Sequence, residues 1–239
     1  STTLNMDFFL KSLFFIPFDK NGYIEPLLSV GWTLNYEVFF YVVFFFSMKI
    51  NHEKRVLFSS VFLLAMPIIG AALDYESVLF DFYTSSILIE FIFGMLIYEV
   101  YRRNWSFKWG QGPLILIVVF SFFLMCLIDA KSFIEYRFFI WGLPSAIIVL
   151  LCVCGVNKIP FPVFLNFVGK ISFSLYLSHL FVIIGFDRLI YSLDVFSIWN
   201  MFLVVMLVFV CLVVSAISWY FIERLAHNYL TNKYIVPKK

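Results

Sequence analysis

The chain has 239 residues, 63% hydrophobic and 13% charged, with a formal net charge of +2. An average soluble domain is about 45–50% apolar and about 25% charged, so this composition excludes a water-soluble globular protein and calls for a bilayer as solvent. The small net charge gives no basis for nucleic-acid binding. The four cysteines, all inside apolar runs without a CxxC pair or a Cys/His cluster, give none for a metal and read as small buried apolar residues.

In chain order, residues 1–31 form the only sizeable stretch that does not span. Its run 8–16 is too short to cross and is interrupted by Lys11, so an interfacial helix or the end of a longer element is expected there. Seven apolar runs follow, at 33–50, 55–73, 82–101, 113–129, 137–155, 165–186 and 197–222. Lipid offers no partner to an open backbone, so each run must be a helix; Pro67 and Pro144 are tolerable kinks. The predicted fold is an all-α integral membrane protein with about seven transmembrane helices in a single domain over 1–239, without internal repeat. The rich supply of Phe, Tyr and Trp suits lipid contact and interfacial belts.

Short-loop charges set the orientation. Lys49, Lys54 and Arg55 follow the first run, and Arg102, Arg103 and Lys108 follow the third. Lys158 follows the fifth, and Arg224, Lys233, Lys238 and Lys239 end the chain. The second loop has only Asp74, Glu76 and Asp81, while the fourth and sixth are mixed. Odd-numbered loops and the C-terminus are therefore placed in the cytoplasm and residues 1–31 outside. The chain opens on Ser1 without a leader pattern. An outside start predicts one or three further spans upstream, making the domain N-terminally incomplete.

An ionisable group inside a bilayer costs about 2.5–3.5 kcal/mol at mid-depth and is a functional candidate for that reason. Trp32, Thr33, Asn35, Tyr36, Glu37 and Tyr41 open the first span; Thr33, Glu37 and Tyr41 share a helical face. Glu37 faces either a cavity between helices or the outer water. Glu90 lies near the middle of the third span, with Tyr83, Ser86 and Gly94 on its stripe, and serves either a structural hydrogen bond or a site. Ser172, Tyr176 and His179 follow i, i+4, i+7 in the sixth span; His179 suits acid–base chemistry or, as a lone histidine, packing. Lys170 near the cytoplasmic end pairs with an anion or snorkels. Glu223 and Arg224 read most simply as a cytoplasmic boundary. No P-loop, HExxH, GxSxG or dinucleotide loop is present.

Several stretches together resemble a known family. The run Trp32-Thr33-Leu34-Asn35-Tyr36-Glu37-Val38-Phe39-Phe40-Tyr41 is similar to the signature of the bacterial membrane acyltransferase family three, which modifies exopolysaccharides, O-antigens and related surface glycans. Glu90-Phe91-Ile92-Phe93-Gly94-Met95 resembles the helix carrying Glu-Phe-x-x-Gly-Met in its exopolysaccharide branch. Arg137 with Gly142-Leu143-Pro144-Ser145 looks like its Arg…Gly-x-Pro segment. Gly169 to His179 resembles its Ser- and Tyr-rich helix, and Tyr220-Phe221-Ile222-Glu223-Arg224 its closing motif. Leu225 stands in place of the family's usual Pro, and Ser178 where Trp is common.

The resemblance implies about ten spans in the full-length protein, in the bacterial cytoplasmic (inner) membrane. It implies transfer of an acyl group, with acetyl expected, from acetyl-CoA or another acyl-CoA to a surface glycan or lipid-linked sugar. It implies no bound cofactor. Apart from the donor, acceptor and membrane lipids, no partner is implied. The family's catalytic His and Arg belong to a first helix with no counterpart in this stretch. Glu37 is then expected to orient that His or contact the acceptor. Trp32, Asn35, Tyr36, Tyr41, Glu90, Ser172 and Tyr176 are expected to line cavities, with His179 a weaker candidate base. The readings from other classes are a transporter or flippase subunit for surface glycans and an inactive remnant of the enzyme.

Overall fold

A computed structural model of the chain describes residues 6–20, 23–24, 26, 29–73, 75, 77–105, 111–127, 137–155, 162–190 and 199–231. The loop charges Asp74, Glu76, Lys108, Lys131 and Lys158, and the terminal Lys233, Lys238 and Lys239, lie outside these residues. Two compact units are present, Ser1–Ile159 and Pro160–Lys239.

The first unit opens with the short helix α1 (Met6–Leu13), within the run expected to be interfacial. Lys11 pairs with Asp7 one turn back at 2.8 Å, while Met6, Phe9, Leu10 and Leu13 stay exposed. This is how an amphipathic helix divides its surface. A two-residue antiparallel pairing of β1 (Asp19–Lys20) with β2 (Tyr23–Ile24) leads to a 3-10 turn at Ser29–Gly31. Helices α2 (Trp32–Ile50) and α3 (Arg55–Ala72) follow, joined by a tight turn in which the Asn51 side chain accepts from the backbone of Glu53 and Lys54.

The third predicted span is not one helix. It divides into α4 (Val78–Tyr83) and α5 (Leu88–Arg102). Between them, Ser85, Leu88, Ile89 and Glu90 donate backbone bonds three residues back, and the Ser85 hydroxyl accepts from Ile87 N–H at 3.3 Å. A serine offering its own oxygen to the backbone is how such a residue competes with helix propagation. The break places Glu90 in the first turn of α5 rather than mid-helix, and takes Tyr83 and Ser86 off its stripe. The break packs against α3 where Gly70 leaves room: a Cβ there would meet Thr84 Cβ at 2.5 Å.

Helix α6 (Gln111–Leu127) returns, and α7 (Leu143–Gly155) completes the unit after a π-helical turn at Phe138–Gly142. Pro144 explains that turn. It has no N–H to give Ile140, and its ring crowds that carbonyl. The chain widens instead, with Leu143 N–H bonding Phe138 O five residues back. Helix α3 packs on α2 and α5, α5 on α7, and α7 on α6. The core of α2 to α5 is Tyr36, Val43, Leu63, Phe82, Leu88 and Met95.

The second unit is a hairpin of α8 (Val163–Ile190) and α9 (Trp199–Ser218), continued by a π-turn at Trp219–Glu223 and α10 (Arg224–Leu230). Across both units, five helical stretches are long and apolar enough to cross a membrane, and two shorter apolar helices occupy the fourth and fifth predicted spans. The protein is an all-α integral membrane protein. Cys154 and Cys211 are buried as expected. Cys126 and Cys152 are exposed instead, on helix faces whose other residues are apolar and where a thiol needs no hydrogen-bond partner.

Candidate functional site

Helices α2, α5 and α7 run the same way through the first unit, each separated from the next by one returning helix. Their N-terminal ends therefore gather on one face. There they enclose a cavity of about 390 Å³, lined by Trp32, Thr33, Tyr36 and Phe40 of α2, by Ile87, Glu90, Phe91 and Gly94 at the start of α5, and by Arg137 just before the π-turn. Tyr36 holds the α2 wall in place, stacked on Phe82 with ring centroids 4.0 Å apart and meeting Trp32 edge-on at 6.0 Å. Phe40 stacks on Phe91 at 4.8 Å, tying α2 to α5.

The two charges of the cavity are partners. Arg137 Nε lies 3.4 Å from Glu90 Oε1. The guanidinium also lies over two indoles, 5.8 Å from the ring of Trp32 and 5.3 Å from that of Trp141, a cation–π arrangement that replaces part of its lost hydration. Trp141 is itself fixed by its N–H donating to Met125 O at 3.3 Å. Gly142, at the end of the π-turn, permits the pairing. A Cβ there would lie 3.0 Å from Glu90 Cγ.

The pair is an ion pair without a formed hydrogen bond. Both Nε and Oε1 are buried, and neither has a hydrogen-bond partner among the described residues. An acceptor and a donor therefore stand side by side at the edge of a cavity, each with capacity to spare. No group of three or more His, Cys, Asp or Glu that could hold a metal occurs among the described residues.

The structure thus gathers Trp32, Tyr36 and Glu90, out of the candidates read from the sequence, around one cavity. Asn35, on the same helix, is buried to 2% exposure with its Oδ1 unpartnered among the described residues, but does not line the cavity. Glu37 and Tyr41 do share a face: the Tyr41 hydroxyl donates to Glu37 Oε1. Neither lines the cavity; Glu37 is half-buried and Tyr41 is 56% exposed.

In the second unit, Ser172 is exposed and bonds Gly169 O on its own helix. Tyr176 and His179 are half-buried, and His179 Nδ1 lies 2.7 Å from Tyr176 O. A carbonyl can only accept, so Nδ1 carries the proton and Nε2 is the basic nitrogen. The polar contacts with α9 come from the next row of α8. The Ser174 hydroxyl donates to Glu223 Oε2 at 2.9 Å, and Ser178 pairs with Ser215 at 3.1 Å. Glu223, read as a simple boundary residue, is therefore also an interhelical acceptor. Its π-turn, closed by Arg224 N–H to Trp219 O, positions it.

Residue-by-residue reading of the sequence did not pair Arg137 with Glu90, nor find Trp141 and Gly142 beside them. A signal existed. An arginine opening an apolar run needs an anion nearby, and Glu90 is, with Glu37, one of the two acids standing farthest from the charged loops.

Fold and site together define a polytopic membrane protein with a charged, aromatic-walled cavity at one face. The family model described as an acyltransferase domain, acyltransferase family 3, matches residues 7–221, and the chain belongs to that family. It is similar to the exopolysaccharide production protein ExoZ of Rhizobium meliloti (strain 1021), with 30% identity over 196 residues. That match covers 75% of this chain and 57% of the relative, so the chain spans a little over half the length of that curated protein. No solved structure matches.

Proposed function

We propose that the chain is part of a bacterial membrane O-acyltransferase. It moves an acyl group, acetyl in the expected case, from acyl-CoA to a hydroxyl of a surface polysaccharide or its lipid-linked precursor. The observation that carries this reading is the family match across residues 7–221, and the name of the exopolysaccharide relative supports the acceptor class. In the reaction the acceptor oxygen attacks the thioester carbonyl carbon and the C–S bond breaks. CoA leaves as the thiol with the hydroxyl proton, and an ester remains. The step needs a base for that proton and donors for the oxyanion.

Charge asymmetry supports a cytoplasmic-membrane orientation in which Lys49, Lys54, Arg55, Arg102 and Arg103, at the far ends of α2, α3 and α5, face the cytoplasm. The cavity then opens toward the outside, where the glycan is. Glu37, held by Tyr41 on α2, would orient the catalytic base or contact the acceptor. His179 Nε2 is the second group able to take a proton.

The test is the proton NMR spectrum of surface polysaccharide from a strain lacking the full-length gene. One O-acetyl methyl signal should disappear, return with the intact gene, and stay absent with a Glu37→Ala version. An unchanged spectrum overturns acetyl transfer. One observation favours a transport reading instead: the interrupted pass at Thr84–Ile87, with an acid just beyond it, is a feature of substrate sites in transporters. Loss of exported glycan, with acylation of the residual polymer intact, would establish that alternative.

A further inference from the structure

We propose that the Glu90–Arg137 pair receives a single neutral hydroxyl, so that the cavity beside Trp32 takes a neutral sugar ring of the acceptor rather than any part of the charged donor. Chemically, the pair offers one acceptor and one donor 3.4 Å apart, both buried and neither hydrogen-bonded among the described residues. A hydroxyl is the small group that donates and accepts through one oxygen. Lying beside both atoms, with the two side chains turned toward the cavity, it would donate to Glu90 Oε1 and accept from Arg137 Nε. A carboxylate or phosphate has no proton to give and would meet Glu90 as a like charge.

The charge balance of the cavity agrees. Among the described residues, Glu90 and Arg137 are the only formally charged side chains in its lining, and they cancel. A nucleotide phosphate site would need surplus cation. The remaining wall is largely aromatic and aliphatic, suited to the C–H face of a sugar. Its size, about 390 Å³, lies at the small end of ligand sites, which run from about 300 to 1,000 Å³. The position also agrees, because the cavity lies at the ends of α2 and α5 opposite to Lys49 and Arg102. Only the statement that this hydroxyl belongs to the acylated glycan rests on the acyl-transfer reading.

The experiment is saturation-transfer NMR on the full-length protein in phosphatidylcholine nanodiscs, with methyl β-glucoside and glucuronate as probes. The wild type should give a saturable glucoside signal and a weaker glucuronate signal. Glu90→Gln should weaken glucoside by about tenfold, the loss of one charge-assisted hydrogen bond. It should also reverse the preference toward glucuronate, because Arg137 is then unbalanced. A merely structural role for Glu90 would not reverse it. If Glu90→Gln does not fold, Gly142→Ala carries the test. Its methyl crowds Glu90 Cγ at 3.0 Å, and glucoside binding should fall while glucuronate does not improve.

No saturable glucoside signal in the wild type, or an unchanged preference in Glu90→Gln, overturns the proposal. Sugar binding without acyl transfer would leave it standing and drop the enzymatic reading. Acyl transfer without sugar binding at this pair would do the reverse.

Discussion

The two units satisfy polar groups in an apolar surround in opposite ways. In the second, polar side chains close on one another: the Ser178 hydroxyl on that of Ser215, and the Ser174 hydroxyl on the Glu223 carboxylate. These bonds join α8 to α9 and to the π-turn that continues it. In the first, the charged pair lies beside a cavity and keeps a donor and an acceptor in reserve. Saturated contacts hold helices together, whereas unsaturated ones beside a cavity are where a ligand can gain. This contrast locates the candidate site in the first unit, which composition alone does not do.

The contrast can be broken most severely at Arg137. Arg137→Ala leaves Glu90 without its cation, and about 3 kcal/mol should be lost, the lower end of the range for a buried pair because both side chains stay about a third exposed. The thermal midpoint of the detergent-purified protein reads this. Replacing both partners together, Arg137→Met with Glu90→Leu, should recover most of the midpoint and none of the glucoside binding. Recovery of both would remove the pair from the site.

Gly70→Ala comes next. Its methyl meets Thr84 Cβ at 2.5 Å, and overpacking of this kind costs about 1–3 kcal/mol. Thr84→Gly in the same chain should restore the midpoint. Failure to do so would show that the α4–α5 break does not depend on this approach.

In the second unit, a double-mutant cycle on Ser178→Ala and Ser215→Ala should give a coupling of about 0.6 kcal/mol, the mean for interhelical hydrogen bonds in bilayers. A coupling several times larger would mean that this hairpin too holds a strained or functional contact. The smallest stability effect is expected for Tyr41→Phe, about 0.5 kcal/mol for an exposed bond. Its acyl-transfer rate should nevertheless fall if Glu37 must be held in one rotamer, which a rate assay in membranes measures directly.

The membrane spans were legible because lipid imposes length and apolarity on every crossing segment. What resisted reading was whatever depends on neighbours. Ser85 and Ser86 are tolerated inside a helix as well as in a turn, so their presence alone does not mark the break that moves Glu90 to a helix end. The pairing of Glu90 with Arg137 joins residues 47 apart in sequence through the packing of α5 on α7. Ser172, Tyr176 and His179 were selected by helical spacing, but spacing does not say which of two polar rows meets α9. The row of Ser174 and Ser178 does. The value of Gly142 is visible only once the Glu90 side chain stands against it.

The break before α5 also sets how this pass reaches its length. Helix α5 has 15 residues, and at about 1.5 Å per residue it extends roughly 22 Å, against a hydrocarbon thickness of about 30 Å. Helix α5 alone is therefore about a quarter shorter than the hydrocarbon layer, and the pass reaches a spanning length only with α4 on the other side of the break. The ion pair at the first turn of α5 stands inside that pass rather than at its end.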